Sequence, residues 1–331
     1  MAQSKVEYIQ SEPLPGGSVR PPSAMHVALA LGSIYLIWGT TYLAIRYAVE
    51  TIPPLLMMSM RHLSAGTTLY AWTRWRGAPA PRAKEWGAAA LTGSILFLGG
   101  HGGLAWAEQR VPSGVAAVLV ATLPMFILLL SRAAATETSF SKRSLAGIAL
   151  GFAGVLVLFG PDVLGHRDAL NVTGAIVILI GNFLWAAGTI WTRKVSMPSS
   201  AALSAAMQML TGGATLGIAG ALGGEATRFH ASAVSLQSWL SVLYLAVFGS
   251  LVAFTAYTWL HTVEKPSRIA TYAYVNPVVA VIVGWALAGE HISGFTVVAM
   301  AIILIGVALV NTAKRAPRVE VIESEKAVAA D

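Results

Sequence analysis

Residues 63–69 read LSAGTTL, and residues 210–216 read LTGGATL. The two stretches are 147 positions apart, and the same offset pairs Trp38 with Trp185. Further along the chain, an offset of 153 relates a second series of pairs: Trp86 with Trp239, Trp106 with Trp259, Pro124 with Pro277, and Glu137 with Glu290. The chain therefore contains two related halves whose loops differ by a few residues. This internal repeat decides the interpretation of the fold.

The composition places both halves in a membrane. Of the 331 residues, 56% are hydrophobic and only 11% are charged, and the mean hydropathy is +0.67. A soluble domain carries about 25% charged residues, so this chain has too little polar material to cover a soluble surface. The formal charge of +7 then indicates lysine and arginine on the cytoplasmic side of a membrane rather than nucleic-acid binding. The chain has no cysteine, which excludes disulfides and thiolate metal sites.

Ten segments are apolar over the roughly 20 residues that a helix needs to cross the hydrocarbon core. Runs of this length favour helices over the short strands of a membrane barrel. The sequence therefore predicts an all-α polytopic membrane protein with ten transmembrane helices. The predicted spans are 26–49, 54–73, 86–106, 113–131, 143–160, 170–192, 199–221, 236–260, 267–287 and 293–312.

The cationic residues predict the orientation. With the N-terminus inside, 17 lysines and arginines fall on the cytoplasmic side, 4 fall outside, and Arg61 lies within a span. Both termini are therefore expected in the cytoplasm. Each half has five spans, an odd number, so the second half must be inverted, as in many secondary transporters. We expect five-helix repeats over 26–160 and 161–312, and disordered cytoplasmic tails over 1–25 and 313–331.

Several stretches together carry a family resemblance. They are Trp38-Gly39-Thr40, Pro53-Pro54, RHLSA at 61–65, VPSGVAAVLVATLPMF at 111–126, ATYAYVNPVVAVIVGWALAGE at 270–290 and ILIGVAL at 303–309. Over residues 27–312 the chain resembles the drug/metabolite transporter superfamily in its ten-helix EamA-type branch, and it is similar to the YddG-type amino acid exporters. The first half departs from the pattern, because Thr136-Glu137 stands where the second half has Gly289-Glu290. The resemblance implies a metabolite carrier, often an exporter, whose cargo differs between members.

No catalytic motif accompanies the spans. The sequence has no GxxxxGK[ST] nucleotide loop, no HExxH and no GxSxG. The seven histidines show no i,i+3 or i,i+4 pairing that would hold a metal on one helix. All fifteen acidic residues fall in tails, loops or span ends, which argues against a buried carboxylate as a proton carrier. We therefore expect no enzyme activity, no cofactor and no metal.

His101, inside the run GGHGG, is expected to be the only histidine at mid-depth in the predicted core. Intramembrane ionisable residues are usually functional, so His101 is a candidate to bind substrate or carry a proton. Its flanking glycines would let a ligand or another helix approach the backbone; these are Gly99, Gly100, Gly102 and Gly103. The alternative is that the glycines serve helix packing and that His101 bonds a neighbouring carbonyl.

Two prolines lie at matching places in the fourth and ninth spans. Pro124 and Pro277 each remove a backbone donor and disturb the preceding turn. They are candidate hinges whose freed carbonyls face the substrate path. The alternative is a static kink at a tight helix crossing.

Other candidate substrate contacts follow from the repeat. Tyr35, Trp38 and Tyr42 share one face of the first span, and Asn182, Trp185 and Thr189 share the matching face of the sixth. Arg61 corresponds to Gln208 and could attract a substrate carboxylate, or it could snorkel to the outer surface. The tryptophans could equally be interfacial or packing residues. Tyr257, Tyr272, Tyr274 and Asn276 add polar and aromatic character to the eighth and ninth spans.

The sequence thus predicts a carrier that moves a small metabolite across the inner or plasma membrane by alternating access. A lining with few polar points suits an amphipathic zwitterion such as a neutral or aromatic amino acid better than a sugar. Outward transport is implied by the resemblance alone. A channel-like pore is one alternative, and a membrane enzyme or lipid-handling protein is another. The expected partners are the small-molecule substrate and the lipid bilayer, without nucleic acid, and the chain is expected to be a monomer.

Overall fold

The computed structural model describes residues 23–134, 141–160, 171–264 and 266–312, and these residues form helices without any strand. Ten long helices match the ten predicted spans, so the predicted fold class is confirmed. They are α1 (Ala24–Ala48), α2 (Pro54–Trp75), α3 (Ala83–Glu108), α4 (Ser113–Ala133), α5 (Lys142–Leu158), α6 (Val172–Thr192), α7 (Ala201–Leu222), α8 (Leu236–His261, continuing to Val263), α9 (Tyr272–Ala288) and α10 (Gly294–Thr312).

Seven of these helices are long and apolar enough to cross a membrane by length and composition alone. The other three are α2, α5 and α9. Helix α9 is apolar but short, while α2 is less apolar because it carries polar side chains such as Arg61 and His62. These three helices are therefore the ones that most need the others around them in the bundle.

Polar side chains fix where several helices begin. The hydroxyl of Ser141 accepts from the backbone N–H of Ser144 at 3.0 Å, and Asn171 accepts from Gly174 at 2.7 Å. Ser235 caps α8 in the same way, at 3.1 Å. Each cap satisfies one of the four backbone donors that a helix start leaves without a partner, which matters most where water is scarce.

The repeated motif forms the interface between α2 and α7. A Cβ added at Gly66 would meet the Cβ of Met209 at 2.9 Å, and one added at Gly213 would meet Leu63 at 3.1 Å. The hydroxyl of Ser59 also donates to the carbonyl of Gly213 at 2.8 Å. Small residues on both helices therefore let the two backbones pack closely, as is common between membrane helices.

The pairs of helices that contact each other across the two halves correspond to one another under the repeat. Helix α2 packs along α7, and α5 packs along α10. Helix α1 contacts α8 and α9, whereas α6 contacts α3 and α4. Helices α1 to α5 correspond to α6 to α10 in the repeat. When each helix is replaced by its counterpart, the same pairs of helices are in contact. The inverted orientation of the halves and the repeat boundaries at 160 and 161 remain predictions.

Helices α3 and α8 each contain a π-helical segment, at Ser94–Gly102 and Leu245–Val252. Such segments are rare and occur mostly at functional sites. Each lies against a tryptophan of the other half: Trp185 packs on Gly100, and Trp38 donates to the carbonyl of Gly249 at 3.1 Å. The two wide turns therefore occupy corresponding places in the two halves.

The two predicted proline kinks differ from each other. Helix α4 is interrupted by a turn at residues 121–122, immediately before the segment that contains Pro124. Helix α9 instead continues through Pro277, and its turn comes earlier, at residues 270–271. Several predictions fall outside the described residues: the departure from the family pattern at Thr136-Glu137, the C-terminal tail, and residues 1–22 of the N-terminal tail.

Candidate functional site

The centre of the candidate site is a pair of histidines. His101 Nδ1 lies 2.9 Å from His62 Nε2, and the two rings are stacked with centroids 5.0 Å apart. His62 is 1% exposed, and its Nδ1 has no hydrogen-bond partner in the part of the chain that the structure describes. His101 is thus not alone inside the bundle, contrary to the expectation from the sequence. Because the residues belong to different helices, spacing along the chain gave no signal for the pair.

Aromatic rings surround the histidine pair. The ring of Trp185 lies 4.6 Å from that of His101, and the ring of Phe97 lies 4.2 Å from that of His62. Phe97 and Trp185 also meet edge to face at 5.9 Å. The structure therefore brings predicted residues His101 and Trp185 together and adds His62 and Phe97 to them.

The glycines around His101 explain how these rings come so close. A Cβ at Gly100 would meet Trp185 at 2.6 Å, and one at Gly99 would meet Leu184 at 2.6 Å. The glycines thus allow α6 to lie against the wide turn of α3. The remaining two also face side chains, since a Cβ at Gly102 would meet Leu216 at 2.9 Å and one at Gly103 would meet Val177 at 3.4 Å. All four glycines contact neighbouring helices.

Arg61 is buried beside the histidine pair. It is 6% exposed, and its Nε donates to the hydroxyl of Ser250 at 3.1 Å, while Nη1 contacts the sulfur of Met58 at 4.0 Å. Among the described residues it forms no ion pair. The side chain therefore does not snorkel to the surface. Its repeat counterpart Gln208 donates to other groups, the hydroxyls of Thr92 and Thr192.

A second aromatic cluster lies at α1, α8 and α9. Trp38 lies 5.3 Å from the ring of Tyr257 and 5.1 Å from that of Tyr272. The hydroxyls of Tyr35 and Thr271 are hydrogen-bonded beside it. The amide nitrogen of Asn276, turned toward α1, lies 3.2 Å from the carbonyl oxygens of Tyr35 and Tyr272. Trp38 and Trp185 thus belong to different clusters, and no ring contact joins the two tryptophans.

Two other predicted residues have structural partners. Asn182 donates to the carbonyl of Leu119 at 2.9 Å and to the hydroxyl of Thr122 at 3.0 Å, so it spans the interruption of α4. Tyr274 points to α10, where its hydroxyl lies 3.5 Å from the carbonyl of Val307.

Glu108, at the end of α3, is more deeply buried than its position suggested. It is 1% exposed, and within the described ranges neither carboxylate oxygen accepts a hydrogen bond. The backbone of Arg46 lies nearby without the geometry of a hydrogen bond. The charged and titratable neighbours of Glu108 are Arg46, Arg61, Glu290 and Tyr42. In the sequence, its place at a span end argued against a buried carboxylate, but the packing of α1, α2, α4 and α6 around α3 encloses it.

Glu290 links α1, α4 and the segment after α9 at the same end of the bundle. Its carboxylate accepts from the backbone N–H groups of Ser113 at 2.8 Å and Gly114 at 3.1 Å, and it pairs with Arg46 at 3.4 Å. A carboxylate at the start of α4 is favoured by the partial positive charge of a helix N-terminus. The carboxylate of Glu290 therefore caps the start of α4.

A cavity of about 620 Å³ opens on the side of the bundle between α1, α8 and α9. None of the predicted site residues lines it. Its polar lining comes from Thr40, Tyr47, Gln237, Ser241 and Tyr244, and the remainder is aliphatic.

Ten helices, seven of them long and apolar enough to cross a membrane, enclose polar and charged groups between them, as in a multi-pass membrane protein. The EamA-like transporter family matches residues 25–160 and 172–312, which together cover most of the chain. The chain therefore belongs to the EamA-like transporter family, within the drug/metabolite transporter superfamily.

Individual proteins agree with this assignment. The chain is 41% identical to the "Uncharacterized inner membrane transporter YedA" of Escherichia coli (strain K12), over 86% of this chain and 90% of that protein. It is 24% identical to the "Probable amino-acid metabolite efflux pump" of Salmonella typhimurium (strain LT2), over 82% and 90%. A solved crystal structure shares the fold, with a TM-score of 0.58 and 20% identity, over 87% of this chain and 96% of that chain.

Proposed function

We propose that this transporter moves an amino acid, neutral or aromatic, outward across the inner membrane by alternating access. The observation that carries the proposal is Arg61, a guanidinium buried in the bundle without an ion pair among the described residues. A buried charge without a counter-charge is costly. A substrate carboxylate would provide that counter-charge and would accept the two parallel hydrogen bonds that arginine offers.

The surroundings of Arg61 suit the rest of such a substrate. The histidine pair next to it offers ring nitrogens that can donate or accept. Trp185 and Phe97 provide an aromatic wall for an apolar side chain. Few other polar groups face this region, so a sugar would lack partners for its hydroxyls.

Several deep side chains support an internal binding space. Tyr42, His101 and Tyr272 lie far inside the helical bundle, and none of them is fully buried. Their partial exposure supports access of a substrate to these three side chains. We place the substrate in this space, between the two aromatic clusters.

Alternating access follows from the two clusters. One holds Trp185 with His62 and His101 on α2, α3 and α6; the other holds Trp38 with Tyr257 on α1 and α8. We infer that one cluster opens while the other stays closed, as in other carriers built from inverted repeats. Two matches of one family to this chain, at 25–160 and 172–312, support the repeat. The inner membrane and amino-acid cargo are supported by the names of the relatives in Escherichia coli and Salmonella typhimurium.

A transport assay tests this function. Purified protein in liposomes should take up members of a panel of radiolabelled amino acids and should ignore sugars. Uptake that saturates and shows counterflow identifies a carrier, whereas linear flux without counterflow identifies a channel-like pore. Recovery of unchanged amino acid from the vesicles excludes an enzyme. Arg61→Gln should abolish uptake, and Arg228→Gln, which changes an exposed arginine, should not.

A further inference from the structure

Glu108 is a buried carboxyl group that the proposed function does not use. Neither of its oxygens has a hydrogen-bond donor among the residues that the structure describes, and the residue is 1% exposed. An ionised carboxylate in such a place needs donors or an adjacent cation to offset the loss of water. One neighbouring cation, Arg46, is already paired with Glu290 at 3.4 Å and is about one-third exposed. The geometry therefore fits the neutral acid better than the carboxylate.

Among the described residues, the charged and titratable groups around Glu108 come from α1, α2 and the segment after α9. Helix α1 contributes Tyr42 and Arg46, α2 contributes Arg61, and the segment after α9 contributes Glu290. The contacting segments Ser113–Val120 of α4 and Val172–Thr192 of α6 contain no titratable side chain. On α3 itself, His101 lies seven residues earlier, two turns away on the same face, about 10 Å along the axis.

The guanidinium of Arg61 and the carboxyl group of Glu108 are thus neighbours in one buried region. We propose that Glu108 holds either a proton or the ammonium group of the amino acid, but not both. This rests on the amino-acid transport proposed above. The carboxylate of the substrate binds Arg61, and its ammonium group approaches Glu108. The carboxylic acid then gives its proton to water on the side from which the substrate entered, leaving a carboxylate that pairs with the ammonium.

Exclusive occupancy couples the two flows. A carrier that changes orientation only with a proton or an amino acid at Glu108 must exchange one for the other. One zwitterion leaves the cell for each proton that enters, so one net positive charge moves inward per cycle. The proton gradient across an inner membrane then drives export of the amino acid.

Competition at one carboxyl group gives a thermodynamic signature. Substrate affinity of the purified wild-type protein should fall as the pH is lowered, by up to about tenfold per pH unit where Glu108 becomes protonated. Glu108→Gln cannot release a proton, so its affinity should be lower and independent of pH. In liposomes with an internal pH indicator, wild-type substrate flux should move protons in the opposite direction, and Glu108→Gln should move none.

Glu225 offers a matched control. It is also a buried carboxyl group, 5% exposed, but it accepts a hydrogen bond from the backbone N–H of Leu56 at 2.9 Å. Glu225→Gln should therefore keep the pH dependence of affinity and the proton movement. If Glu108→Gln keeps them too, the inference is wrong. If His62→Gln and His101→Gln lose them while Glu108→Gln does not, the proton lies on the histidine pair, which also overturns it.

A measurement without substrate separates this inference from the proposed function. Infrared difference spectra of the wild-type protein at pH 7 should show a protonated carboxyl band that is absent in Glu108→Gln and present in Glu225→Gln. Absence of that band in the wild type contradicts the inference. Amino-acid counterflow without proton movement would overturn the coupling and leave the transport function intact. Absence of any amino-acid flux would overturn the transport function, and the exclusive occupancy of Glu108 with it.

Discussion

His62 Nε2 and His101 Nδ1 are 2.9 Å apart on neighbouring helices, although the residues are 39 positions apart in the chain. A hydrogen bond between two imidazoles requires one ring to donate and the other to accept. The pair is therefore a unit, and a change in either ring alters the hydrogen bonding of both. Because the pair lies beside Arg61, its ring nitrogens provide hydrogen-bonding groups in the proposed substrate site.

The histidine pair can be tested by a change that keeps polarity. His101→Gln retains a hydrogen-bonding side chain but removes the ring that stacks on His62 and lies against Trp185. We expect the apparent KM for the transported amino acid to rise about fivefold, because one hydrogen bond contributes about 1 kcal/mol. Initial uptake rates into proteoliposomes measure this. His230→Gln, at an exposed position, is the control, and a wild-type KM in His101→Gln would place the pair outside the substrate path.

The packing at Gly100 gives a prediction about stability. A Cβ there would meet the ring of Trp185 at 2.6 Å, so Gly100→Ala must displace that ring or part α3 from α6. We expect a loss of about 1–3 kcal/mol in the free energy of unfolding together with reduced transport. Gly87→Ala is the matched control on the same helix, because a Cβ at Gly87 meets nothing within 4 Å. Thermal unfolding in detergent compares the two variants, and equal Tm values would contradict the packing account.

Asn182 should matter to the stability of α4. Asn182→Ala leaves the carbonyl of Leu119 and the hydroxyl of Thr122 without the amide that joins them, which should destabilise the protein by about 1–3 kcal/mol. Thr122→Val removes one of the two acceptors together with the bond from the Thr122 hydroxyl to the carbonyl of Leu119 at 2.7 Å, but it leaves the Asn182 amide its other acceptor and should cost less. Both values come from thermal unfolding in detergent. If Asn182→Ala unfolds like the wild type but loses transport, Asn182 contacts substrate rather than supporting the broken helix.

Glu290 and Arg46 form one ion pair, but replacing Glu290 should lower the free energy of unfolding more than replacing Arg46. Glu290→Ala removes an acceptor from two backbone donors at the start of α4, and hydrogen bonds to a charged group contribute about 1.5–3 kcal/mol. Arg46 is about one-third exposed, so Arg46→Gln should cost less than about 1 kcal/mol. Unfolding in detergent measures both. A larger effect for Arg46→Gln would mean that the ion pair, not the capping of α4, holds this end closed.

Much of the fold could be predicted from the sequence because the bilayer imposes it. Ten apolar runs gave ten helices, and the matching motifs at 63–69 and 210–216 proved to face each other across α2 and α7. Helix starts moved by one or two residues where caps such as Asn171 and Ser141 begin the helix, and the start capped by Ser235 was predicted correctly. The turn near Pro124 interrupts α4, whereas the turn near Pro277 precedes α9. A proline does not by itself decide where its helix breaks.

The site was less accessible to sequence reasoning. His101 and Trp185 were identified from polarity in an apolar span and from the repeat. His62 was missed as a site residue because its partner is on another helix. The burial of Glu108 was missed because a position near a span end does not show how closely neighbouring helices enclose it. Asn182 was identified as polar, but its hydrogen bonds to α4 depend on the interruption there, which periodicity does not reveal.

The most direct test of the account is recognition of the substrate carboxylate by Arg61. The substrate is the radiolabelled amino acid with the highest uptake. Two unlabelled compounds are compared as inhibitors of that uptake: the same amino acid, and the amine that lacks only its carboxylate. The wild type should prefer the amino acid by about 30- to 100-fold, as expected for a hydrogen-bonded charge worth about 2–3 kcal/mol. Arg61→Gln should lose that preference in a binding measurement, while Arg228→Gln keeps it. Equal inhibition of the wild type by the amine and the amino acid would contradict the account.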